Sequence, residues 1–207
     1  MQCMIRMRKK NNWLIGSLLM FVFAFSFVAC EETKDEGEYY DWKERNDTYI
    51  KSIADTAALN ADTNWKVLKA WNLPPDGSTD LGASFNVQNY VYVHVKKKGA
   101  GTVSPFYTDS VSVSYRGKLI NGDIFEETFI SNELKPETAG RTTLYLNKSV
   151  VGMTTALQDM HVGDLWEVYI PWNLAYGSSA SGSIPKYSDL IFELYLAEIN
   201  PLKKKTD

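Results

Sequence analysis

The feature that most constrains this fold is a strict alternation of apolar and polar side chains over residues 110–118. The stretch reads SVSVSYRGK, with Val111, Val113 and Tyr115 separated by serines. Successive side chains of a β-strand point to opposite faces, so this alternation is typical of a strand with one buried face. The chain must therefore build a sheet and supply an apolar layer to cover it.

Other stretches repeat the pattern. Residues 90–95 alternate around three valines, and residues 190–196 alternate around leucine and phenylalanine. LWEVYI at 165–170 and LYL at 144–146 read as further strands. Asn121-Gly122 is a hairpin signal after the first strand described above. Together these stretches predict an antiparallel sheet.

One short helix is predicted between the strands. Four apolar residues recur at steps of three and four, which is the spacing of one helix face, and Gly163 follows as a possible end. These residues are Met153, Ala156, Leu157 and Met160. One helix covering the apolar face of an antiparallel sheet is an α+β arrangement.

Residues 41–73 precede the sheet and are predicted to be mostly helical. Trp42, Ile50, Ile53 and Ala57 are spaced as on one face of an amphipathic helix. A second short element, NWKVLKAWNL at 64–73, ends at a Pro-Pro-Asp-Gly breaker. The whole segment is too small to form its own core, so it should pack on the following domain or extend from it as a stalk.

The first thirty residues have the pattern of an export signal. Four basic residues lie between positions 6 and 10, and an apolar run at 13–28 follows, short for a membrane span. Phe27-Val28-Ala29-Cys30 resembles a bacterial lipobox, which predicts a lipid on Cys30 and a location in the bacterial cell envelope. An ordinary signal peptide or an N-terminal anchor helix remains an alternative. The predicted domains are a signal peptide at 1–29, an acidic tether with a helical segment at 30–88, and the main domain at 89–204.

Charge and cysteine content narrow the class of protein. Removal of the signal would leave 18 basic and 25 acidic residues, a net charge of −7, which argues against a nucleic-acid partner. Cys30 would be the only cysteine left, so no disulfide forms within the mature chain. The acidic run after Cys30 resembles tracts in surface lipoproteins of Bacteroides-like bacteria.

Common catalytic motifs are missing from the sequence. His94 and His161 are the only histidines, and neither has a partner at metal-ligand spacing. No nucleophile elbow, P-loop or dinucleotide fingerprint is present. An enzyme with this sequence would work without a nucleophile, a metal or a cofactor.

Three stretches resemble one family. VSVSYRGKLINGDIFEET, VVGMTTALQDMHVGDLWEVYIPWNLAYG and IPKYSDLIFELYLAEI are similar, in order, to the patterns of FKBP-type peptidyl-prolyl cis-trans isomerases. The resemblance covers residues 91–199, with family-like spacing except around 130–150. It implies a twisted antiparallel sheet wrapped on one short helix, and isomerase activity on Xaa-Pro polypeptides.

The resemblance also implies a pocket for proline. Its residues would be Tyr115, Phe125, Glu126, Val150, Met153, Tyr176, Ile184 and Phe192. In the family, the Tyr176 hydroxyl and the Val150 N–H would anchor the substrate carbonyl groups. The Gly/Ser loop between Tyr176 and Ile184 would form one wall.

The sequence departs from the family at several positions. Met153 stands where the family usually has tryptophan, Glu126 replaces an aspartate, and Thr142 and Thr143 precede Leu144 where an aromatic is typical. Met153 predicts weaker binding of proline rather than loss of the fold, and the longer Glu126 side chain should move a hydrogen bond of the pocket. The alternative function is a lipid-anchored binding or chaperone module with little isomerase activity, using the helical segment as a partner surface.

Overall fold

The computed structural model describes residues 37–74 and 86–202 of the 207-residue chain. The chain separates into one unit ending at Tyr40 and a second beginning at Asp41. All helices and strands of the described residues lie in the second unit. The predicted signal peptide, Cys30 and most of the acidic tether lie outside the described residues.

The order of elements confirms the predicted α+β class. Two α-helices are present among the described residues, α1 (Trp42–Leu59) and α2 (Val151–Asp159). Three single-turn 3₁₀ helices span Val87–Asn89, Leu146–Lys148 and Trp172–Leu174. The strands are β1 (Trp65–Lys69), β2 (Tyr90–Lys97), β3 (Ser110–Lys118), β4 (Ile124–Glu127), β5 (Thr142–Tyr145), β6 (Leu165–Ile170) and β7 (Leu190–Asn200).

The strands form one antiparallel sheet in the order β1-β2-β6-β7-β3-β4. β7 pairs with β3 along its whole length. On the other edge of β3, β5 pairs with its first half and β4 with its second half. The predicted antiparallel sheet is confirmed. Strands β7, β3 and β4 form one end of it, and the candidate site described below lies there.

One face of the sheet packs on α2. Val93, Val168 and Phe192 are in register across β2, β6 and β7 and belong to the main hydrophobic cluster together with the helix. A Cβ atom on Gly152 would lie 2.2 Å from Cγ2 of Ile170. Glycine therefore lets α2 approach the sheet closely.

The opposite face packs on α1. Tyr92, Tyr169 and Ile191 are the next residues along the same strands and form a second row in register. Ile50 and Ala54 of α1 are buried against this row in a separate hydrophobic cluster. The helical segment therefore covers a second apolar face of the sheet, because the residues next to the first row point to the opposite side.

The prediction that residues 41–73 are mostly helical is confirmed up to Leu59 and wrong beyond it. Asn60 adopts φ 41° and ψ 43°, and Thr63 also has a positive φ, so the helix stops and the chain turns. The Asn60 side chain accepts a hydrogen bond from Trp65 N–H at 2.9 Å. Residues 65–69 then pair with β2 as an edge strand.

The predicted role of Gly163 in ending α2 is also wrong. The helix ends at Asp159, and Met160 is already extended. Gly163 has φ 93° and lies in the turn that leads into β6. A Cβ there would lie 2.9 Å from the Cα of Gly99, so glycine serves a close contact between two loops.

Candidate active site

Three aromatic rings form a wall where β3, β4 and β7 meet. The rings of Tyr115 and Phe192 lie 5.8 Å apart, and those of Phe125 and Phe192 lie 5.6 Å apart, both edge to face. Gly117 lies beneath them. A Cβ on Gly117 would come within 2.4 Å of Phe125 and 2.8 Å of Phe192. The missing side chain provides the space in which the rings pack.

A bulge in the pairing of β3 with β4 places two consecutive residues beside this wall. Gly117 pairs with Glu126, but Lys118 pairs with Ile124, so Phe125 is the extra residue. Consecutive residues of a regular strand would point to opposite faces, and a bulge redirects one of them. The bulge therefore lets Phe125 pack against Phe192 in the wall, while the next residue, Glu126, pairs with Gly117.

The hydroxyl of Tyr115 is hydrogen-bonded to the carboxylate of Glu126. Burial of the ring, together with this bond and the nearby charge, holds the pKa of Tyr115 above its usual value. Tyr176 adds a smaller electrostatic contribution that also raises the pKa of Tyr115. Tyr115 is buried, whereas Glu126 is exposed.

The start of α2 contributes Val150 and Met153. Val150 is the residue before the first turn and is half-buried, and Met153 is 5% exposed. The first N–H groups of a helix have no acceptor within the helix. Thr154 fixes this end of the helix, because its hydroxyl donates to Leu146 O at 2.7 Å.

The Gly/Ser segment after Tyr176 is a closed turn. Ser181 and Ile184 exchange two backbone hydrogen bonds, each 2.9 Å long. Gly177 and Gly182 have positive φ, which glycine adopts without strain. Ile184 is buried, whereas Tyr176 is 42% exposed. The loop therefore directs one side chain into the core and leaves a phenol at the surface.

The structure brings six of the eight predicted pocket residues into one hydrophobic cluster. Four are buried members, and two are partly buried residues packed against it. Tyr176 and Glu126 are exposed, and both raise the pKa of Tyr115. The six are Tyr115, Met153, Ile184, Phe192, Phe125 and Val150. We call all eight residues the candidate pocket.

Several residues around the candidate pocket were not predicted. Gly117 could have been found, because an isolated glycine in an alternating strand indicates a close contact. Trp42, Asn46 and Ser188 carry no such signal. Trp42 donates a hydrogen bond to Ser188, and Asn46 accepts one from Asp189 N–H, so both bonds join residues far apart in the chain.

Metal ligands and membrane-spanning helices were also sought in the part of the chain that the structure describes. Within it, no group of three or more potential metal ligands is found, and no helix is long and apolar enough to cross a membrane. His94 Nε2 lies 2.5 Å from Asp62 Oδ2, and its ring packs against Trp65. This histidine has a structural partner and lies on a different strand from the aromatic wall.

Comparison with known proteins is consistent with this geometry. Residues 101–197 match the family model described as FKBP-type peptidyl-prolyl cis-trans isomerase. The chain is 38% identical over 123 residues to the FKBP-type 22 kDa peptidyl-prolyl cis-trans isomerase of Escherichia coli K12, covering 59% of this chain and 52% of that protein. It is 39% identical over 103 residues to the outer membrane protein MIP of Legionella longbeachae, covering 48% and 41%. The chain thus spans about half the length of the curated relatives that it matches.

A solved structure shares the fold. A peptidyl-prolyl cis-trans isomerase from Pseudomonas syringae aligns with a TM-score of 0.52 and 24% identity, covering 77% of this chain and 96% of that chain. At this identity the similarity concerns the fold. The α+β arrangement derived above is therefore one that a solved protein also adopts.

Proposed function

We propose that the chain is an FKBP-type peptidyl-prolyl cis-trans isomerase, the family whose model residues 101–197 match, and that it catalyses cis–trans isomerisation of Xaa-Pro bonds in polypeptides. The observation that carries the proposal is the aromatic wall of Tyr115, Phe125 and Phe192. Tyr176 has an exposed phenol and raises the pKa of Tyr115 electrostatically. An apolar wall with a polar group at its edge suits a proline ring joined to a peptide carbonyl. The proposed reaction uses no cofactor.

The chemistry needs no bond-making side chain. Rotation about a peptide bond has a barrier of about 18–20 kcal/mol because resonance gives the bond double-bond character. At an Xaa-Pro bond the two isomers differ by only about 0.5–1 kcal/mol, yet they exchange over tens of seconds or more. A catalyst therefore has to favour the twisted amide over both planar forms.

An apolar wall can do this by changing the surroundings of the amide. The planar amide is charge-separated and is stabilised by water, whereas the twisted amide has lost that resonance. Removing water from the bond therefore disfavours the planar ground state more than the transition state. In this proposal the three rings exclude water from the bond while the proline ring packs against them.

Polar groups would then hold the peptide in register. The Tyr176 hydroxyl and the N–H of Val150 are the proposed donors to substrate carbonyl groups, and the position of Val150 before α2 supports this assignment. Glu126 accepts the hydrogen bond of Tyr115. We assign Glu126 to orienting that phenol rather than to removing a proton, because the reaction transfers none.

Met153 is proposed as the floor of the pocket. It is 5% exposed and lies on the first turn of α2, in the same cluster as Phe192 and Ile184. Methionine fills space but lacks a flat face on which a proline ring can pack. The pocket should therefore bind proline less tightly than one with a tryptophan at this position.

The test is the exchange rate of an Xaa-Pro peptide measured by NMR with the purified full chain. The wild type should accelerate exchange, Tyr176→Phe should lower the rate about tenfold, and Met153→Trp should raise it. Tyr107→Phe is the matched control, because Tyr107 has similar exposure and lies outside the candidate pocket. A folded wild-type sample that leaves the exchange rate unchanged would contradict the proposal and favour the binding-module alternative.

We also propose that the chain acts in the cell envelope, with clients among exported proteins. The relative from Legionella longbeachae is named an outer membrane protein, and the sequence around Cys30 resembles a lipobox. Incorporation of labelled palmitate in cells should occur with the wild-type chain and be lost with Cys30→Ser. Equal labelling of both would rule out a lipid on Cys30.

A further inference from the structure

Helix α1 reaches the end of the loop that joins β6 to β7. We call residues 172–189 the pocket loop, because it carries Tyr176 and Ile184. Trp42 Nε1–H donates to Ser188 Oγ at 2.8 Å, and Ser188 Oγ–H donates to the carbonyl of Pro185 at 2.7 Å. Pro185 directly follows Ile184. Two hydrogen bonds therefore join α1 to Pro185, next to the buried pocket residue Ile184, which we call the inner lip.

The same helix also holds the start of the pocket loop. Trp172 Nε1–H donates to Asp47 Oδ1 at 2.8 Å. The backbone N–H of Trp172 donates to Asp189 Oδ1 at 2.8 Å, which joins the two ends of the loop. The carbonyl of Trp172 accepts from Gly177 N–H at 2.8 Å, one residue beyond Tyr176. Two hydrogen bonds in sequence thus also connect α1 to the residue after Tyr176, the exposed residue that we call the outer lip.

A buried amide connects these contacts. Asn46 is fully buried, its Oδ1 accepts from the N–H of Asp189 at 2.7 Å, and its Nδ2 donates to the carbonyl of Trp42 at 2.7 Å. Ser188 and Asp189 are also at least nine-tenths buried. Leaving any of these groups without its partner would cost the full penalty of a buried unsatisfied polar atom. The contacts are therefore specific in direction as well as in position.

This polar set is distinct from the contacts that attach α1 to the sheet. Ile50, Ala54 and Ala57 on the later turns form the apolar contact with Tyr92 and Tyr169. That contact alone would attach the helix. The first two turns add hydrogen bonds that end on the pocket loop rather than on the sheet.

We infer that α1 is a positioning element for the candidate pocket, with Trp42, Asn46 and Asp47 fixing both ends of the loop that carries Tyr176 and Ile184. The inference rests on the proposed function and deepens it. A loop with two glycines at positive φ has many alternative conformations in the absence of outside contacts. Holding its ends from a rigid helix keeps the lips in place before the peptide arrives.

The test compares variants of the full chain in two measurements. The first is kcat and KM for exchange of an Xaa-Pro peptide, and the second is hydrogen exchange of the amides of Gly177 and Tyr187. Tyr187 N–H donates to Gly177 O at 2.9 Å, so its protection reports on closure of the loop. Trp42→Phe removes the N–H donor together with part of a buried ring system. Ser188→Ala removes only the hydroxyl that accepts from Trp42 and donates to Pro185. Ile50→Val is the control, since it loosens the apolar contact of α1 without touching the loop.

Trp42→Phe should lower kcat/KM about fivefold, mainly through kcat, because the floor and wall still bind proline. It should also raise the amide exchange rates of Gly177 and Tyr187. The double variant with Ser188→Ala should be little slower than Ser188→Ala alone, because Ser188→Ala already removes the acceptor of the Trp42 bond. Ile50→Val should lower the melting temperature as much as Trp42→Phe does. It should nevertheless leave kcat/KM and the exchange rates of both amides unchanged.

Two results would overturn the inference. One is a Trp42→Phe variant with wild-type kcat/KM and wild-type protection of both amides. The other is an Ile50→Val variant that slows catalysis as much as Trp42→Phe does. If the wild type itself is inactive, the proposed function fails, and the amide exchange alone then decides whether α1 positions the loop.

Discussion

The two sides of the candidate pocket are held in different ways. On the sheet side, the rings of Tyr115, Phe125 and Phe192 pack against one another above Gly117, and strand register sets their positions. On the loop side, we infer that Tyr176 and Ile184 are held in place by a few buried or partly buried hydrogen bonds that reach α1. Apolar packing is non-directional, whereas each hydrogen bond requires one particular partner.

This difference separates the kinds of change that each side tolerates. The sheet side should be sensitive to volume and nearly insensitive to the loss of one polar atom. The loop side should be sensitive to polar groups and to their ionisation, because its hydrogen bonds are buried and few.

The largest effect should come from Asp189 on the loop side. Burial, partly offset by the bond from Trp172 N–H, raises the pKa of Asp189 to about 8 from an ordinary 3.8. Its Oδ2 is buried without a hydrogen-bond partner among the described residues. Between about pH 4 and pH 8 the folded state therefore keeps a proton that the unfolded state has lost. The free energy of unfolding should fall as pH rises through this window, by up to about 1.4 kcal/mol per pH unit, and level off above it.

Asp189→Asn should remove this slope, because the amide does not ionise and its oxygen can still accept from Trp172 N–H. Denaturant unfolding at several pH values between 4 and 9 measures the effect. The difference between variant and wild type should grow with pH and reach a few kcal/mol at pH 8. Asp55→Asn changes a carboxylate that is two-thirds exposed, and it should give a profile parallel to the wild type. If the pH profile of the unfolding free energy of Asp189→Asn also runs parallel to that of the wild type, ionisation of Asp189 does not destabilise the loop side.

How much could be predicted from the sequence follows the same division. The sheet side was predictable, because alternation at Val111, Val113 and Tyr115 fixes which side chains share a face, and the observed register places Phe192 on that face too. The bulge at Phe125 was not, since nothing in the local sequence requires the register to shift there. Periodicity predicts faces well and local irregularities poorly.

The loop side could not be predicted in this way. The bonds from α1 to the pocket loop join residues 125 to 146 positions apart. Helical periodicity identified Trp42 and Ile50 as residues of one face, but it could not show that one ends on the loop and the other on the sheet. Asn46 was not singled out, because a polar residue in a helix has no periodic signal when its partner is distant. Strand β1 was missed for a related reason, as pairing with β2 decides its conformation.

The second prediction concerns volume on the sheet side. Gly117→Ala would place a Cβ within 2.4 Å of Phe125 and 2.8 Å of Phe192, so both rings must move. Such overpacking should cost about 1–3 kcal/mol of unfolding free energy and lower the exchange rate of an Xaa-Pro peptide. Ser112→Ala on the same strand is the control, and it should change neither quantity by much. A Gly117→Ala variant as stable and active as the wild type would mean that the rings adjust freely and that register does not fix the wall.

The smallest effect is expected from Tyr115→Phe, which removes one hydroxyl from the sheet side and keeps the ring. The lost bond runs to Glu126, whose carboxylate is exposed and can be solvated once the phenol is gone. The unfolding free energy should therefore fall by less than about 1 kcal/mol, and catalysis should fall less than in Trp42→Phe, although Tyr115 is part of the candidate pocket and Trp42 is not. Kinetic measurement of the two variants side by side gives the sharpest test of the comparison. If Tyr115→Phe is the slower enzyme, the hydroxyl of the wall contributes more to catalysis than the positioning of the loop, and the sheet side would have to be regarded as a polar part of the site.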